Sequence, residues 1–180
     1  MTGSLEFSPH DNRARPEVEA LLDLCFGPAR QKRTASLLRQ GAGRIDSACF
    51  LARIDGVLAG SVECSELCWR QGRRNRRLAM LGPLAIHPDW RDRGIGSQLM
   101  ERALAALDRL ALPVMLIGDE PYYGRWGFSP RHTGSWAMPG PVERHRLLLR
   151  ARAPQRFAGA ATLAATSWLA DSERTKKAAA

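Results

Sequence analysis

Residues 84–97 read LAIHPDWRDRGIGS, and this stretch decides the fold. An apolar run ends at His87-Pro88, a short loop with two arginines follows, and Gly94 and Gly96 lead into an amphipathic segment. A strand, a glycine-rich loop and a helix in this order expose backbone N–H groups at the positive end of a helix dipole, which binds phosphate or pyrophosphate. We therefore expect an anion site at residues 91–97, where glycine lets the ligand approach the backbone.

Two common phosphate loops do not fit this segment. The dinucleotide fingerprint G-x-G-x-x-G lacks its third glycine, because Leu99 stands at that position. The Gly-Lys-Ser/Thr of the nucleotide P-loop is absent as well. What remains is R-x-x-G-x-G at Arg91, Gly94 and Gly96, a short pattern that also fits a glycine-rich helix start without a ligand.

The segments around this loop alternate between helix and strand patterns. Apolar spacing predicts helices at Pro16–Phe26, at about 34–40 and from Gly94 to about Ala111. Strands are predicted at 48–54, from Val57 to Trp69, at Leu78–Ile86, at Val114–Ile117 and at Arg146–Arg150. The order α, α, β, β, β, α, β indicates a mixed α/β domain.

One predicted strand carries a break at its centre. Gly82-Pro83 interrupts the apolar run Leu78–Ile86. Proline cannot donate to a sheet ladder and glycine weakens a strand interior, so we expect the strand to bulge or splay there.

Length and composition limit the possible classes of protein. The chain has 180 residues, with 27 basic and 18 acidic side chains and a net charge of +9. These values predict one globular domain, which we place at residues 1–170, followed by a flexible tail at 171–180. The N-terminus lacks the layout of a signal peptide, and no apolar run approaches the roughly 18–20 residues of a membrane span. We therefore expect a cytoplasmic protein with no membrane partner, as a monomer or homodimer.

Positive charge is concentrated late in the chain. Residues 121–180 hold 10 basic and 3 acidic side chains. A second cluster, Arg70–Arg77, contains five arginines with Gly72 and Asn75 and predicts a solvated hairpin tip. Such charge attracts nucleic acid, phosphorylated cofactors or acidic partners, and it does not choose among them.

The cysteines do not suggest a metal site. Cys64 and Cys68 are the only closely spaced pair, and the four histidines are scattered. A structural zinc site needs paired ligands at short spacing, so we predict free thiols in a reducing compartment and no metal.

A second motif follows the strand at Val114–Ile117. Residues Tyr122–Phe128 read YYGRWGF, an aromatic segment that ends in Gly-Phe. In this order, GPLAIHPDWRDRGIGSQLM and GDEPYYGRWGF resemble two motifs of the GNAT superfamily of acyl-CoA-dependent N-acetyltransferases, and particularly a bacterial subgroup of predicted N-acetyltransferases. The clear resemblance covers residues 78–130, with a weaker one from 48 to 69.

The resemblance implies a fold and a cosubstrate. It implies an α+β domain with a mixed, mostly antiparallel sheet that splays between its fourth and fifth strands, with helices on both faces and acetyl-CoA in the opening. Backbone groups of Leu84, Ala85 and Ile86 would pair with the pantetheine arm. The pyrophosphate would be held by the loop residues Arg91, Arg93, Gly94, Ile95, Gly96 and Ser97.

The resemblance also implies direct attack of a primary amine on the thioester. Tyr123 lies four residues before Gly127, where the family places the tyrosine that protonates the leaving CoA thiolate, and Tyr122 is the alternative. Many family members carry a carboxylate on the fourth strand as the base, but Leu78–Ile86 has none. The remaining titratable candidates for the base are Glu63, Glu66, His87, Asp119 and Glu120.

Two other functions stay open from the sequence. The missing carboxylate favours a non-catalytic CoA-binding or regulatory module, whereas Tyr123 counts against it. The basic clusters suggest a nucleic-acid-binding domain, but no helix-turn-helix or RNA-binding signature accompanies them. The sequence does not specify which amine accepts the acetyl group.

Overall fold

The structure is a computed structural model that describes residues 3–165, so the predicted tail at 171–180 lies outside the described residues. The chain forms two compact units. The first contains residues 3–31, 44–64 and 81–111, and the second contains residues 32–43, 65–80 and 112–165. One domain over residues 1–170 stays a prediction.

The described residues contain the following helices and strands, in chain order: β1 (Leu5–Pro9), α1 (Arg15–Phe26), α2 (Thr34–Arg39), β2 (Gly43–Arg44), β3 (Phe50–Ile54), β4 (Val57–Gln71), β5 (Arg74–Ile86), α3 (Ile95–Arg109), β6 (Val114–Ile117), α4 (Glu120–Tyr123), β7 (Trp136–Ala137), β8 (Leu147–Arg150) and β9 (Ala161–Ala165). None of these helices is long and apolar enough to cross a bilayer.

In the first unit, strand pairing is antiparallel. β1 pairs with β3, and β3 pairs with the first part of β4 through a bulge between Ala52 and Arg53. Helix α1 buries Val18, Leu21 and Leu22 against a core that includes Leu51 and Ala85. Because these apolar residues recur every three or four positions, one face of α1 covers the sheet.

In the second unit, β5 pairs with β6 in parallel and β6 pairs with β8 antiparallel. β9 pairs antiparallel with the end of β4 and parallel with the short β7. The core contains two fully buried tryptophans, Trp69 and Trp136. The mixed, mostly antiparallel sheet and the helices confirm the predicted fold class.

The parallel pairing of β5 and β6 is short. It joins Ala79 to Val114 and Met80 to Met115. β5 then continues to Ile86 outside this register, through Gly82-Pro83, where Gly82 has a φ of +123°. The splay between the two strands stays a prediction.

Three sequence expectations need correction. The chain begins with a strand, β1, which the predicted order omitted. The tip between β4 and β5 is only Gly72-Arg73, because the strands extend across most of Arg70–Arg77. Cross-strand contacts explain the extension: Arg70 lies opposite Thr162 of β9, and the Arg76 guanidinium lies 5.8 Å from the Phe157 ring. The helix predicted from Gly94 to about Ala111 ends at Arg109, and Leu110, which follows it, is 48% exposed.

Candidate active site

The predicted anion loop joins β5 to α3 in the first unit. A short 3₁₀ turn at Pro88–Trp90 is followed by the exposed residues 91–94. Gly94 caps α3 in the left-handed conformation, with a φ of +72°. A Cβ on Gly94 would meet no atom within 4 Å, so its open side faces free space that a ligand can occupy. Arg91 and Arg93 flank this space as exposed cations.

The first turn of α3 retains free donors. The first helical hydrogen bond runs from Gln98 N to the Gly94 carbonyl. The N–H groups of Ile95, Gly96 and Ser97 therefore have no acceptor within the helix. Within the described residues no side chain caps this end, and its first turn contains no carboxylate. The positive end of the helix dipole is thus available to an external anion.

The end of β5 leads into this loop. Leu84 and Ile86 are half-buried, whereas Ala85 is buried. On the β4 side, His87 N donates to the Ala59 carbonyl at 2.9 Å. A Cβ on Gly60 would lie 2.7 Å from Ile86 Cδ1, so glycine allows the two strands to pack closely there. All nine predicted cosubstrate-binding residues therefore belong to one continuous strand–loop–helix segment.

Cys25 is a contact of this segment that sequence reasoning missed. Its Sγ donates a hydrogen bond to the Ile86 carbonyl at 3.3 Å. Burial raises the pKa of the Cys25 thiol, and Arg91, which also hydrogen-bonds the sulfur, opposes the rise. A neutral thiol thus connects the end of α1 to both the strand and an arginine of the loop. No motif reveals this contact, because Cys25 and Ile86 are 61 positions apart.

Tyr123 lies in the second unit, at the end of α4. Its N–H donates to the Asp119 carbonyl at 3.0 Å. Its ring lies directly against Gly118, where an added Cβ would be only 2.7 Å from Cδ2 of the ring and closer still to Cε2. The ring is enclosed by other aromatic side chains, whose centroids lie between 4.9 and 6.3 Å from its own: Tyr122, Trp126 and Phe128.

This environment keeps the Tyr123 phenol protonated. Burial raises its pKa to about 12, Tyr122 and Asp119 add to the rise, and Arg146 opposes it. A phenol with this pKa carries its proton throughout the neutral range. Tyr122, by contrast, is exposed and lies under the Arg125 guanidinium at 4.3 Å.

The model of the acetyltransferase (GNAT) family matches residues 15–128, which is more than half of the chain. The chain belongs to the GNAT acetyltransferase family. An uncharacterized N-acetyltransferase of Escherichia coli K12, YjhQ, is 28% identical over 108 residues. That alignment covers 59% of this chain and 59% of YjhQ.

Solved structures share the GNAT fold with this chain. The E. coli GNAT protein YhbS, crystallised with CoA, superposes with a TM-score of 0.72 at 19% identity, covering 90% of this chain and 91% of YhbS. A Brucella melitensis GNAT acetyltransferase in complex with acetyl-CoA has a TM-score of 0.57 at 21% identity and covers 84% of this chain and 98% of its own. At these identities the likeness concerns the fold.

The candidate bases differ in their partners. Glu66 accepts two hydrogen bonds from Arg77, at 2.5 and 3.0 Å, and Asp119 forms an ion pair with Arg146 at 3.0 Å. His87 accepts a hydrogen bond from Asp89 N at 3.3 Å, and Glu120 is exposed in the first turn of α4. Glu63 is half-buried, and its carboxylate lies 3.4 Å from the ring of His10. Among these five candidates for the general base, Glu63 has the least exposed side chain. Its nearest partner is the imidazole of His10, whose pKa is lowered by burial so that it is neutral at neutral pH.

Proposed function

We propose that this chain is an N-acetyltransferase that transfers the acetyl group of acetyl-CoA to a primary amine by direct attack. One observation carries the proposal: the free N–H groups at the start of α3 follow the end of β5 through the mostly exposed, arginine-bearing loop at residues 87–94. Membership of the GNAT family supports acetyltransferase activity, and two structural neighbours were crystallised with CoA or acetyl-CoA. The cytoplasm is the proposed location.

The cosubstrate-binding residues have distinct roles in this proposal. The N–H groups of Ile95, Gly96 and Ser97 hold the pyrophosphate, with Gly94 leaving room and Arg91 and Arg93 adding positive charge. The backbone of Leu84, Ala85 and Ile86 pairs with the amides of the pantetheine arm as an added strand would. Acetyl-CoA supplies the acetyl thioester.

Acetyl transfer needs a proton donor for the departing thiolate. Tyr123 gives its phenol proton to the thiolate sulfur as a general acid. With a pKa of about 12, the phenol is protonated and can act as a proton donor at neutral pH. Backbone N–H groups of β5 polarise the thioester carbonyl before the bond breaks. A primary amine provides the nucleophile, and its identity is the open element of the proposal.

A thermal-shift experiment tests the binding half of the proposal. Acetyl-CoA at a hundredfold excess over its dissociation constant should stabilise the protein by about 2.7 kcal/mol. Gly96→Val should remove this stabilisation, because glycine in the first turn of α3 lets a ligand approach the N–H donors and a branched side chain would obstruct it. Ala105→Val is the matched control, since it adds the same side chain at an exposed position of the same helix.

A CoA-release assay tests the catalytic half. Wild-type protein is supplied with acetyl-CoA and a panel of alkylamines, arylamines, polyamines and peptides with free N-termini. Release that depends on one amine class, with formation of the acetylated amine, supports transferase activity. Cosubstrate binding without release for any amine would instead favour the non-catalytic CoA-binding module.

A further inference from the structure

A buried polar cluster in the first unit has no part in the function described so far. It consists of His10, just after β1, Arg44, and two residues of β4, Ser61 and Glu63. His10 and Ser61 are 3% and 0% exposed. Within residues 3–165, both ring nitrogens of His10, Nη1 of Arg44 and Oγ of Ser61 are buried without a hydrogen-bond partner. Buried polar atoms are usually satisfied, so this region is a candidate for a functional role.

Two contacts show where this cluster lies along β5. His87 N donates to the Ala59 carbonyl, and the backbone of Gly82 hydrogen-bonds the Cys64 thiol. Because β4 and β5 are neighbours in the sheet, these contacts place Glu63 beside residues 82–84 of β5. Neighbouring strands are about 4.8 Å apart, so the Glu63 backbone is one strand away from Leu84. Leu84 is the first of the three residues proposed to bind the pantetheine arm.

Among residues 3–165, Glu63 has no fixed cationic partner, unlike Glu66, the other carboxylate of β4. Its Oε1 lies 3.4 Å from Nδ1 of His10, without hydrogen-bond geometry. Burial lowers the pKa of His10, against the effect of Glu63, so the imidazole is neutral at neutral pH. Glu66, three residues further along, is instead bound by both nitrogens of Arg77.

The charged and titratable groups around the pair come from several elements. Arg44 is itself bound to Asp46 at 2.5 Å, and it hydrogen-bonds Asn12 at 2.9 Å. Burial raises the pKa of both neighbouring thiols, which keeps them neutral. The groups that act on His10 or on these thiols are Asp11, Arg15, Arg44, Asp46, Cys49, Glu63 and Cys64. Arg44 is therefore bound to Asp46 and Asn12 rather than to Glu63.

We propose that Glu63 is the general base that accepts the proton of the attacking amine, and that His10 is a positioning residue that holds its carboxylate. This inference rests on the proposed function. Glu63 takes a proton from the ammonium form of the amine, and the free nitrogen then bonds to the acetyl carbon. The carbon–sulfur bond breaks and Tyr123 protonates the thiolate. The amide nitrogen gives its extra proton back to Tyr123 and Glu63 releases its proton to solvent, so the products are the acetylated amine and CoA.

The test compares Glu63→Gln with Glu66→Gln, a matched change on the same strand. Both are assayed with the alkylamine that wild type acetylates fastest in the CoA-release panel. At neutral pH, Glu63→Gln should lower kcat by about 10²–10⁴-fold, the usual contribution of a general base, and Glu66→Gln should not. The acetyl-CoA thermal shift should be unchanged in both. The defect of Glu63→Gln should shrink as the pH rises through the pKa of the amine, because the free amine no longer needs a base.

Glu63→Asp keeps a carboxylate and provides a second variant if Glu63→Gln does not fold. It should retain the acid limb of the wild-type pH profile with a smaller loss of kcat, and His10→Asn should retain that limb as well. Equal rates in Glu63→Gln and Glu66→Gln, or a defect that is the same at every pH, would overturn the proposal. If wild type binds acetyl-CoA but acetylates no amine in the panel, the proposed function itself fails, and this inference fails with it.

Discussion

Replacing Gly118 with alanine should disable Tyr123 without touching it. Gly118 follows β6, where its N–H donates to the Arg146 carbonyl at 2.8 Å, so its backbone cannot easily move away. A Cβ there would lie 2.7 Å from Cδ2 of Tyr123, whereas ordinary contacts begin at 3.4 Å. The ring must therefore shift by roughly 0.7 Å or more. A misplacement of about 1 Å in an active site can cost about 10²-fold in rate.

We expect Gly118→Ala to lower kcat by about 10–10²-fold and to leave the acetyl-CoA thermal shift unchanged. The assay is CoA release with the best amine of the panel. Gly124→Ala is the control, because it follows Tyr123 directly and its Cβ would meet no atom within 4 Å. In a Tyr123→Phe background the hydroxyl is already gone, so Gly118→Ala should add little further loss. Full activity in Gly118→Ala, or additive losses in the double variant, would refute this account of Tyr123.

The other predictions concern the loop, the phenol and the hairpin tip. Gly96→Val should abolish the acetyl-CoA thermal shift while Ala105→Val keeps it; equal shifts would rule out the loop as the binding site. Tyr123→Phe should lower turnover by about 10²–10⁴-fold with the thermal shift retained. Burial raises the pKa of Tyr123 to about 12, so the phenol stays protonated at pH 10, the pKa of an unperturbed tyrosine. The pH–rate profile of wild type should therefore show no loss of activity near pH 10 that is absent from the profile of Tyr123→Phe. Replacing Arg73 and Arg74 with Ser should change stability by less than about 1 kcal/mol each, as measured by denaturant unfolding. Sub-micromolar nucleic-acid binding that is lost in this variant would contradict a merely solvated tip.

The elements with strong periodicity could be predicted from the sequence. α1 and α3 have apolar residues at helical spacing and clear glycine boundaries, and β6 is a short β-branched and apolar run. β1 was missed because its five residues include Pro9 and its partner β3 lies more than forty positions away. β7 has two residues and pairs with β9, so long-range contacts rather than local preference define it.

The candidate site shows the same division between local and long-range information. The strand–loop–helix segment could be predicted because its glycines and arginines are contiguous in the chain. Side-chain contacts between distant segments could not, and they include the hydrogen bond from Cys25 to Ile86 and the pair of His10 and Glu63. The contact of Gly118 with the Tyr123 ring was hidden for another reason: a glycine five residues before a tyrosine carries no signal of close packing.

The central claim is that acetyl-CoA is held by the N-terminus of α3 and gives its acetyl group to an amine. The most direct measurement is simultaneous quantification of free CoA and acetylated amine, with wild type, Gly96→Val and Tyr123→Phe at several acetyl-CoA concentrations. The account predicts equal amounts of the two products in wild type, a greatly raised KM for acetyl-CoA in Gly96→Val, and a lowered kcat with nearly unchanged KM in Tyr123→Phe. Wild-type KM in Gly96→Val, or CoA release without any acetylated amine, would contradict it.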